Sequence, residues 1–363
     1  MTDPVSMAII GAGSIAEGSH LPAIRAQGTE TRVRAVVDVD LDRARAVAER
    51  WQIPAAYDDL DQMLREVAPD LAVVCTPPVA HRDAVVACLD AGAWVWCEKP
   101  PVLSLAEYDE ISAHEAVGGP YVSYVFQHRF GSGARALREH IRSGRLGTPL
   151  VGVCHTLWYR DDAYYQVPWR GRWSTEGGGP TMGHGIHQMD LMLALMGEWT
   201  EVRAATGTLA RDIETEDVSM AIVRFASGAM TAMVNSVLSP RETSYLRIDF
   251  PEATVELSHL YGYDNSNWRW TPSPHRADDT PAALGAPEDN DASSHAAQLR
   301  PLLADLRHGR RPAASGDDGR RVLAFIAALY ASAATGEPVT PDQITRENPF
   351  YHSMSGREEN VHA

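Results

Sequence analysis

Short apolar runs alternate with amphipathic stretches through the first third of the chain. SMAIIGAGSIA opens with apolar positions that pass directly into glycines, the pattern of a fully buried strand. TRVRAVVDVD supplies a second run, followed by LDRARAVAERW, whose apolar positions recur at helical spacing. DLAVVCTPP and AWVWCEKPP are the third and fourth runs, each stopped by two prolines. HRDAVVACLDAG and SLAEYDEISAHEA are the helices that follow them. PYVSYVFQHRF supplies a fifth strand. This alternation predicts βαβ units in a doubly wound parallel sheet. Ligands of such a sheet sit at the carboxyl ends of its strands, so the residues just after each run carry the interest.

The rhythm changes from Val151 onward. LVGVCHTLWYR, EVRAATGTLAR, VSMAIVRFASGAMTAMVNSV and SYLRIDFPEATVELSHL read as strands, the third splitting into a hairpin at Ser227-Gly228. An antiparallel sheet without long helices between its later strands indicates an α+β domain. Residues 265–292, with Pro272, Pro274, Pro281 and Pro287 among many acids, read as a long polar loop. Two helices follow, SSHAAQLRPLLADLRHG and GRRVLAFIAALYASAATG. A chain of 363 residues suits two domains. We place an α/β domain over 1–125 and an α+β domain over 126–363, with the C-terminal helices free to pack back on the first.

Gly11-Ala12-Gly13-Ser14-Ile15-Ala16 is a GxGxxA that follows the first strand and opens a helix. Its glycines permit a tight turn and close approach of backbone to a pyrophosphate, which the next helix's amides can bind. Asp38 ends the second run, where a carboxylate can bond the ribose hydroxyls of NAD and repel the extra phosphate of NADP. A dinucleotide site is expected from this context, with NAD favoured over NADP. Thr76 and Pro77, with His81 beyond them, end the third run. Glu98-Lys99-Pro100-Pro101 end the fourth, where the X-Pro bond can be cis. Lys99, held between an acid and a proline on the cofactor's side of the sheet, suits an ammonium that hydrogen-bonds a reacting oxygen.

The run EGGGPTMGHGIHQMDLMLALMG begins with glycines and histidines and ends as a plain helix. Met189, Met192, Leu193 and Met196 form its core stripe. His184, His187 and Asp190 share a face at three-residue spacing. Three uses compete: histidines satisfied by nearby carbonyls, an HxxHxxD metal site without an evident further ligand, and acid–base chemistry at the end of a cofactor cleft. We take the third and expect no metal. An imidazole with a pKa near 6.5 suits removal of a hydroxyl proton, Lys99 would stabilise the alkoxide, and Asp190 is placed to orient His187. The preceding glycines let backbone come close to a ligand, or simply turn the chain. The stretch WYRDDAYYQVPWRGRW offers aromatic faces and arginines, among them Trp158 and Arg170. Sugar binding and interface packing are equally open to it.

Lysine plus arginine number 32 against 48 acids, a net charge of −16. Such a surface repels nucleic acid and anionic membrane, and neither is an expected partner. Four cysteines without a CxxC pair read as buried thiols of a reducing compartment. The start, MTDPVSMAIIGAG, has no basic stretch ahead of an apolar run, so a cytoplasmic location is expected.

GAGSIA, Asp38, TPPVAH, CEKP and GGGPTMGHGIHQMD in this order resemble the Gfo/Idh/MocA oxidoreductase family, as do the weaker FQHRF, GRLGTP, VRFASGAM and GEPVT. The resemblance implies a Rossmann domain, an open-faced antiparallel sheet domain with helices, and a self-pairing sheet face that makes a dimer or tetramer. It implies that Lys99 and His187 flank a sugar or polyol in one cleft. The cofactor set is Gly11, Gly13, Ser14, Ile15, Asp38, Thr76, Pro77, His81, Glu98 and Lys99. The substrate set is Lys99, Arg129, Trp158, Arg170, His184 and His187. Many members carry an aspartate four residues before the histidine; here Gly183 stands there, which leaves a lysine–histidine pair. The expected activity is NAD-dependent oxidation of a secondary hydroxyl, or reduction of the corresponding carbonyl. The alternatives are transient oxidation with NAD tightly held, for elimination or epimerisation, a non-catalytic sensor, and a zinc-dependent enzyme.

Overall fold

The computed structural model describes residues 3–278 and 280–357. The chain divides into two compact units. Met1–Val102, Ala106–Val125 and His295–Arg320 form the first; Leu103–Leu105, Phe126–Ser294 and Arg321–Ala363 form the second.

In the first unit six parallel strands, β1 (Val5–Ile10), β2 (Thr31–Val37), β3 (Ala55–Tyr57), β4 (Leu71–Val74), β5 (Trp94–Cys97) and β6 (Val122–Tyr124), lie in the order β3-β2-β1-β4-β5-β6. That is the doubly wound order whose direction reverses between β1 and β4, where a crevice opens at the strand ends. All four residues of β4 and of β5 are buried, because helices cover both faces, which is why these strands read as unbroken apolar runs. Asp40 caps the helix Leu41–Trp51 by accepting from the Arg43 amide at 3.1 Å. Leu299, Leu302 and Leu303 of the helix His295–Arg307 join the core built on Val5, Met7 and Ile9.

β3 and the helix Leu60–Val67 behind it left no clear sequence signal, since β3 is three half-buried residues at the sheet edge. The expected fifth run is the sixth strand. Only Val122–Tyr124 pair in it; Gln127–Arg129 turn away as a 3-10 helix.

The second unit holds seven strands, β7 (Val151–Tyr159), β8 (Trp199–Gly207), β9 (Val218–Phe225), β10 (Met230–Ser236), β11 (Leu238–Asp249), β12 (Ala253–His259) and β13 (Trp268–Pro272), in the order β13-β12-β11-β7-β10-β9-β8. Every neighbouring pair is antiparallel except β7 with β10, which run parallel. The sheet is therefore mixed rather than purely antiparallel. Burial alternates along β9, with Met220 and Ile222 exposed and Ser219, Ala221 and Val223 inward. The inward face meets the helix Ile186–Met196, which is buried almost all round.

The stretch 265–292 is not one loop. Trp268 and Trp270 turn inward on β13, which pairs with β12, and a short helix Pro281–Leu284 follows; Asp279 lies outside the described residues. Prolines hid the strand because they sit at its end rather than inside it. No described helix is long and apolar enough to cross a membrane.

Candidate active site

At the end of β1 the chain turns through Gly11 with φ of +94°. A Cβ there would lie 2.9 Å from the Cys75 carbonyl carbon and oxygen, so both the left-handed backbone and the close approach of the β4 end require glycine. The Ala12 amide donates to Asp38 Oδ2 at 2.8 Å. Asp38 therefore joins the end of β2 to the glycine turn, with 9% of its surface exposed. Its other oxygen accepts from the Asp40 amide at 3.0 Å and lies 3.4 Å from Arg43 Nη1. The chain continues as a π-type turn, Ala16–His20, into the helix Leu21–Arg25. Ser14 is exposed at the start of this segment, while Ile15 packs against the core.

His81 is fully buried and spans two strand ends. Its Nε2 lies 2.9 Å from the Thr76 carbonyl, and its Nδ1 faces the Pro100 and Pro101 carbonyls at 2.9 and 3.2 Å. It tacks the Thr76-Pro77 turn to the EKPP segment. Burial lowers its pKa and outweighs those carbonyls. Glu98 is likewise turned inward: His20 Nε2 at 2.8 Å and His295 Nε2 at 3.1 Å both meet Oε1, and the Lys99 amide donates to Oε2 at 3.2 Å. Burial alone would raise this carboxyl, but the two histidines hold it well below the ordinary range. His81 and Glu98 therefore fix the backbone that presents Thr76 and Lys99. Lys99 itself is half-buried, and the bond to Pro100 is cis.

In the second unit a π-type turn, Thr181–Gly185, leads into the helix Ile186–Met196; such wide turns are frequent at functional sites. His184 and His187 are buried, at 7% and 2% exposure. The His187 ring lies 5.0 Å from His128 at a 32° tilt and meets Tyr261 edge-on at 5.6 Å. His184 Nε2 lies 3.2 Å from the Tyr164 hydroxyl, and Trp158 stands edge-on to the same ring at 5.2 Å. The Arg170 guanidinium lies 3.7 Å from the Tyr164 ring centre and 4.5 Å from that of Trp169. Trp158 and Arg170 thus belong to one aromatic–cation stack that ends on His184.

Asp190 is fully buried and takes both Nε and Nη2 of Arg129, the former at 2.6 Å. Arg129 thus places two of its donors on this bidentate ion pair. Close packing within the protein already requires glycine in this run, since a Cβ on Gly178 would strike the Tyr330 hydroxyl and one on Gly179 the Glu216 carbonyl.

Residues 5–124 match the model of the oxidoreductase family with an NAD-binding Rossmann fold, and 134–258 match the GFO/IDH/MocA C-terminal domain. The chain belongs to the Gfo/Idh/MocA family. D-glucoside 3-dehydrogenase of Escherichia coli is 28% identical over 93% of this chain and 98% of its own length. D-apiose dehydrogenase of Paraburkholderia graminis is 29% identical over 96% of this chain and 92% of its own. Among solved structures, the WlbA dehydrogenase of Chromobacterium violaceum in complex with NADH and UDP-GlcNAcA superposes with a TM-score of 0.81 at 25% identity, over 94% and 96% of the two chains.

As a Gfo/Idh/MocA Rossmann domain, the first unit binds NAD, and its residues fit the group. A Cβ on Gly13 would meet nothing within 4 Å, so there is open space over the turn for a pyrophosphate to reach backbone. Thr76 Oγ1 is buried with no partner among the described residues, a hydroxyl placed at the β4 end to bond something the chain itself does not supply. His20, His295 and Gln127 carry no sequence motif that marks them as site residues. The Gln127 amide is buried and lacks a partner at both ends among the described residues. Only its place in QHRF hinted at it.

His20, Glu98 and His295 form the metal-sized group among the described residues, their ligating atoms all within 4.8 Å. The His20 Nδ1 is buried without a partner. Metal on Nε2 would force a proton onto Nδ1 and strand a buried N–H. Hydrogen bonds from both Nε2–H groups to an ionised Glu98 leave only a bare lone pair there, and this is the arrangement we assign.

Proposed function

We propose that this protein is an NAD-dependent dehydrogenase of a secondary hydroxyl on a sugar, glycoside or cyclic polyol. The observation that carries the reading is the stack of Trp158, Tyr164 and Arg170 ending on His184, one helical step before His187. Aromatic faces suit the C–H face of a pyranose. Arg170 Nε is buried with no partner among the described residues, so it is a donor available to a sugar hydroxyl. Relatives named for glucosides, apiose and myo-inositol support the substrate class. Bound NAD would accept the hydride. His187 takes the hydroxyl proton, and the Lys99 ammonium stabilises the developing alkoxide. Asp38 favours NAD over NADP.

Steady-state assays of nicotinamide absorbance with hexoses, glycosides and inositols test this reading. One class should give reduction that falls by about 100-fold or more in both Lys99→Ala and His187→Ala. Reduction unaffected by either change would remove both residues from the mechanism. Absence of turnover together with cofactor retained through purification would favour transient oxidation on a held NAD.

The open sheet face supports self-association, because Met220, Ile222 and Met230 are 55%, 54% and 39% exposed on neighbouring strands. A reducing, cytoplasmic setting is supported by four free cysteines, all buried, with burial pushing Cys88 and Cys154 up to about 12.

A further inference from the structure

The one-turn helix Trp173–Glu176 ends on a buried acid, and Gly177 in the left-handed region turns the chain back at once. That reversal aims Glu176 at the π-type turn. Its Oε2 accepts from the Gly171 amide at 2.6 Å, which pins the carboxylate. Its Oε1 lies 3.4 Å from where a Cβ on Gly183 would stand and is the only atom within 4 Å of that point among the described residues outside the local helix backbone and the chain neighbours. Gly183 precedes His187 by one turn on the same side of the helix. The missing side chain at 183 therefore opens a slot beside the helix start, and a carboxylate from a different element faces into it.

We propose that Glu176 is the positioning carboxylate of this acid–base site, reaching through the space at Gly183 so that its charge favours proton uptake by His187. This rests on the function proposed above. Within the second unit, the His128 and Tyr261 rings face His187, the Arg129–Asp190 pair lies one turn further on, and Glu216, whose carboxyl burial pushes up, accepts from the Gly179 and Thr181 amides where the π-type turn begins. The Arg129–Asp190 pair is neutral in sum. His259, which stands edge-on to His128 at 5.0 Å, is held neutral by burial with a pKa of about 4. Beside His184, Arg160 and Arg170 flank the Tyr164 ring. The Glu176 carboxylate adds an anion to this neighbourhood. A carboxylate there raises the basicity of an imidazole, so His187 can take up a proton as the hydroxyl loses one.

Two variants test this in the full chain. Glu176→Gln keeps an acceptor for the Gly171 amide and removes only the charge. Glu176→Ala with Gly183→Asp moves the carboxylate to the other end of the slot, where the backbone is not left-handed and the contact is ordinary van der Waals distance. The ring resonance lost in His187→Asn is followed against pH by NMR, alongside the pH profile of sugar oxidation. In Glu176→Gln the His187 titration and the acid limb of kcat/KM should both move down by about one pH unit, and kcat should fall about 100-fold. The double variant should recover at least about tenfold of that loss relative to Glu176→Ala. An unchanged His187 titration in Glu176→Gln, or no recovery in the double variant, overturns the proposal. If the wild-type protein oxidises no sugar but the His187 titration shifts as stated, the function reading fails and the role of Glu176 stands. Oxidation by Glu176→Gln at the wild-type rate with an unmoved acid limb removes Glu176 and leaves the dehydrogenase reading intact.

Discussion

Gly11 is held by two constraints at once, a positive φ and backbone of the β4 end within 2.9 Å of any added Cβ. Gly11→Ala should destabilise the protein by a few kcal/mol, because backbone cannot yield as a flexible side chain would. Thermal melts with and without NAD check this, and an unchanged Tm would contradict it. Asp38 poses a subtler question, since Arg43 stands 3.4 Å from it and an arginine can accommodate a 2′-phosphate. Asp38→Ala should raise the NADP-to-NAD ratio of kcat/KM by about tenfold or more, through loss of repulsion and release of that guanidinium. A ratio that stays put would show that Asp38 matters only for holding the glycine turn. The glycine turn at Gly11 and the place of Asp38 at the end of β2 were legible in sequence because they follow from local order: strand, glycine, helix, strand-end acid. The inward roles of Glu98 and His81 were not. The partners of Glu98 include His20 and His295, each remote along the chain, and no local pattern reports such a meeting.

At the scale of elements, the helix Ile186–Met196 is fastened by its own polar residues as much as by its methionines. Arg129 reaches from the 3-10 turn Gln127–Arg129 to Asp190 in the middle of the helix, and both side chains are at most 5% exposed. Removing one member strands the other charge, so Asp190→Asn should cost about 3–5 kcal/mol, read from urea unfolding. A loss below about 1 kcal/mol would mean that water reaches the pair. The stripe Met189, Met192, Leu193 and Met196 was plain from periodicity, and all four are buried. What periodicity could not say is that the opposite side is buried as well, nor that the start is a π-type turn. β13 was missed because two inward tryptophans followed at once by Pro272 and Pro274 look like a loop until β12 is there to pair with them.

For the whole molecule, acid is the revealing perturbant. Burial lowers the pKa of His20, His81 and His259, the last to about 4. Their folded values lie below the ordinary 6.5, so the folded state binds fewer protons than the unfolded chain once the pH drops beneath it. Stability should be full above about pH 6.5 and decline from there towards pH 4, with His259 alone accounting for roughly 3 kcal/mol. His259→Gln should flatten that limb in chemical denaturation measured across the window; an equally steep limb would place the titrating group elsewhere. At this scale the two-part architecture was readable from the change in rhythm near Val151. The parallel pairing of β7 with β10 was not, because pairing direction leaves no mark on the alternation of either strand.

Under the proposed function, hydride leaves a sugar carbon while His187 and Lys99 serve the hydroxyl. The direct test is a single turnover of a substrate deuterated at the reacting carbon, with nicotinamide absorbance followed in time and the label traced by mass spectrometry. Deuterium should appear on the reduced nicotinamide, the transient should be slower than with the protiated sugar, and transients should slow by about 100-fold or more in Lys99→Ala and in His187→Ala. Reduced cofactor without the label, or label transfer at the wild-type rate in both variants, would contradict it.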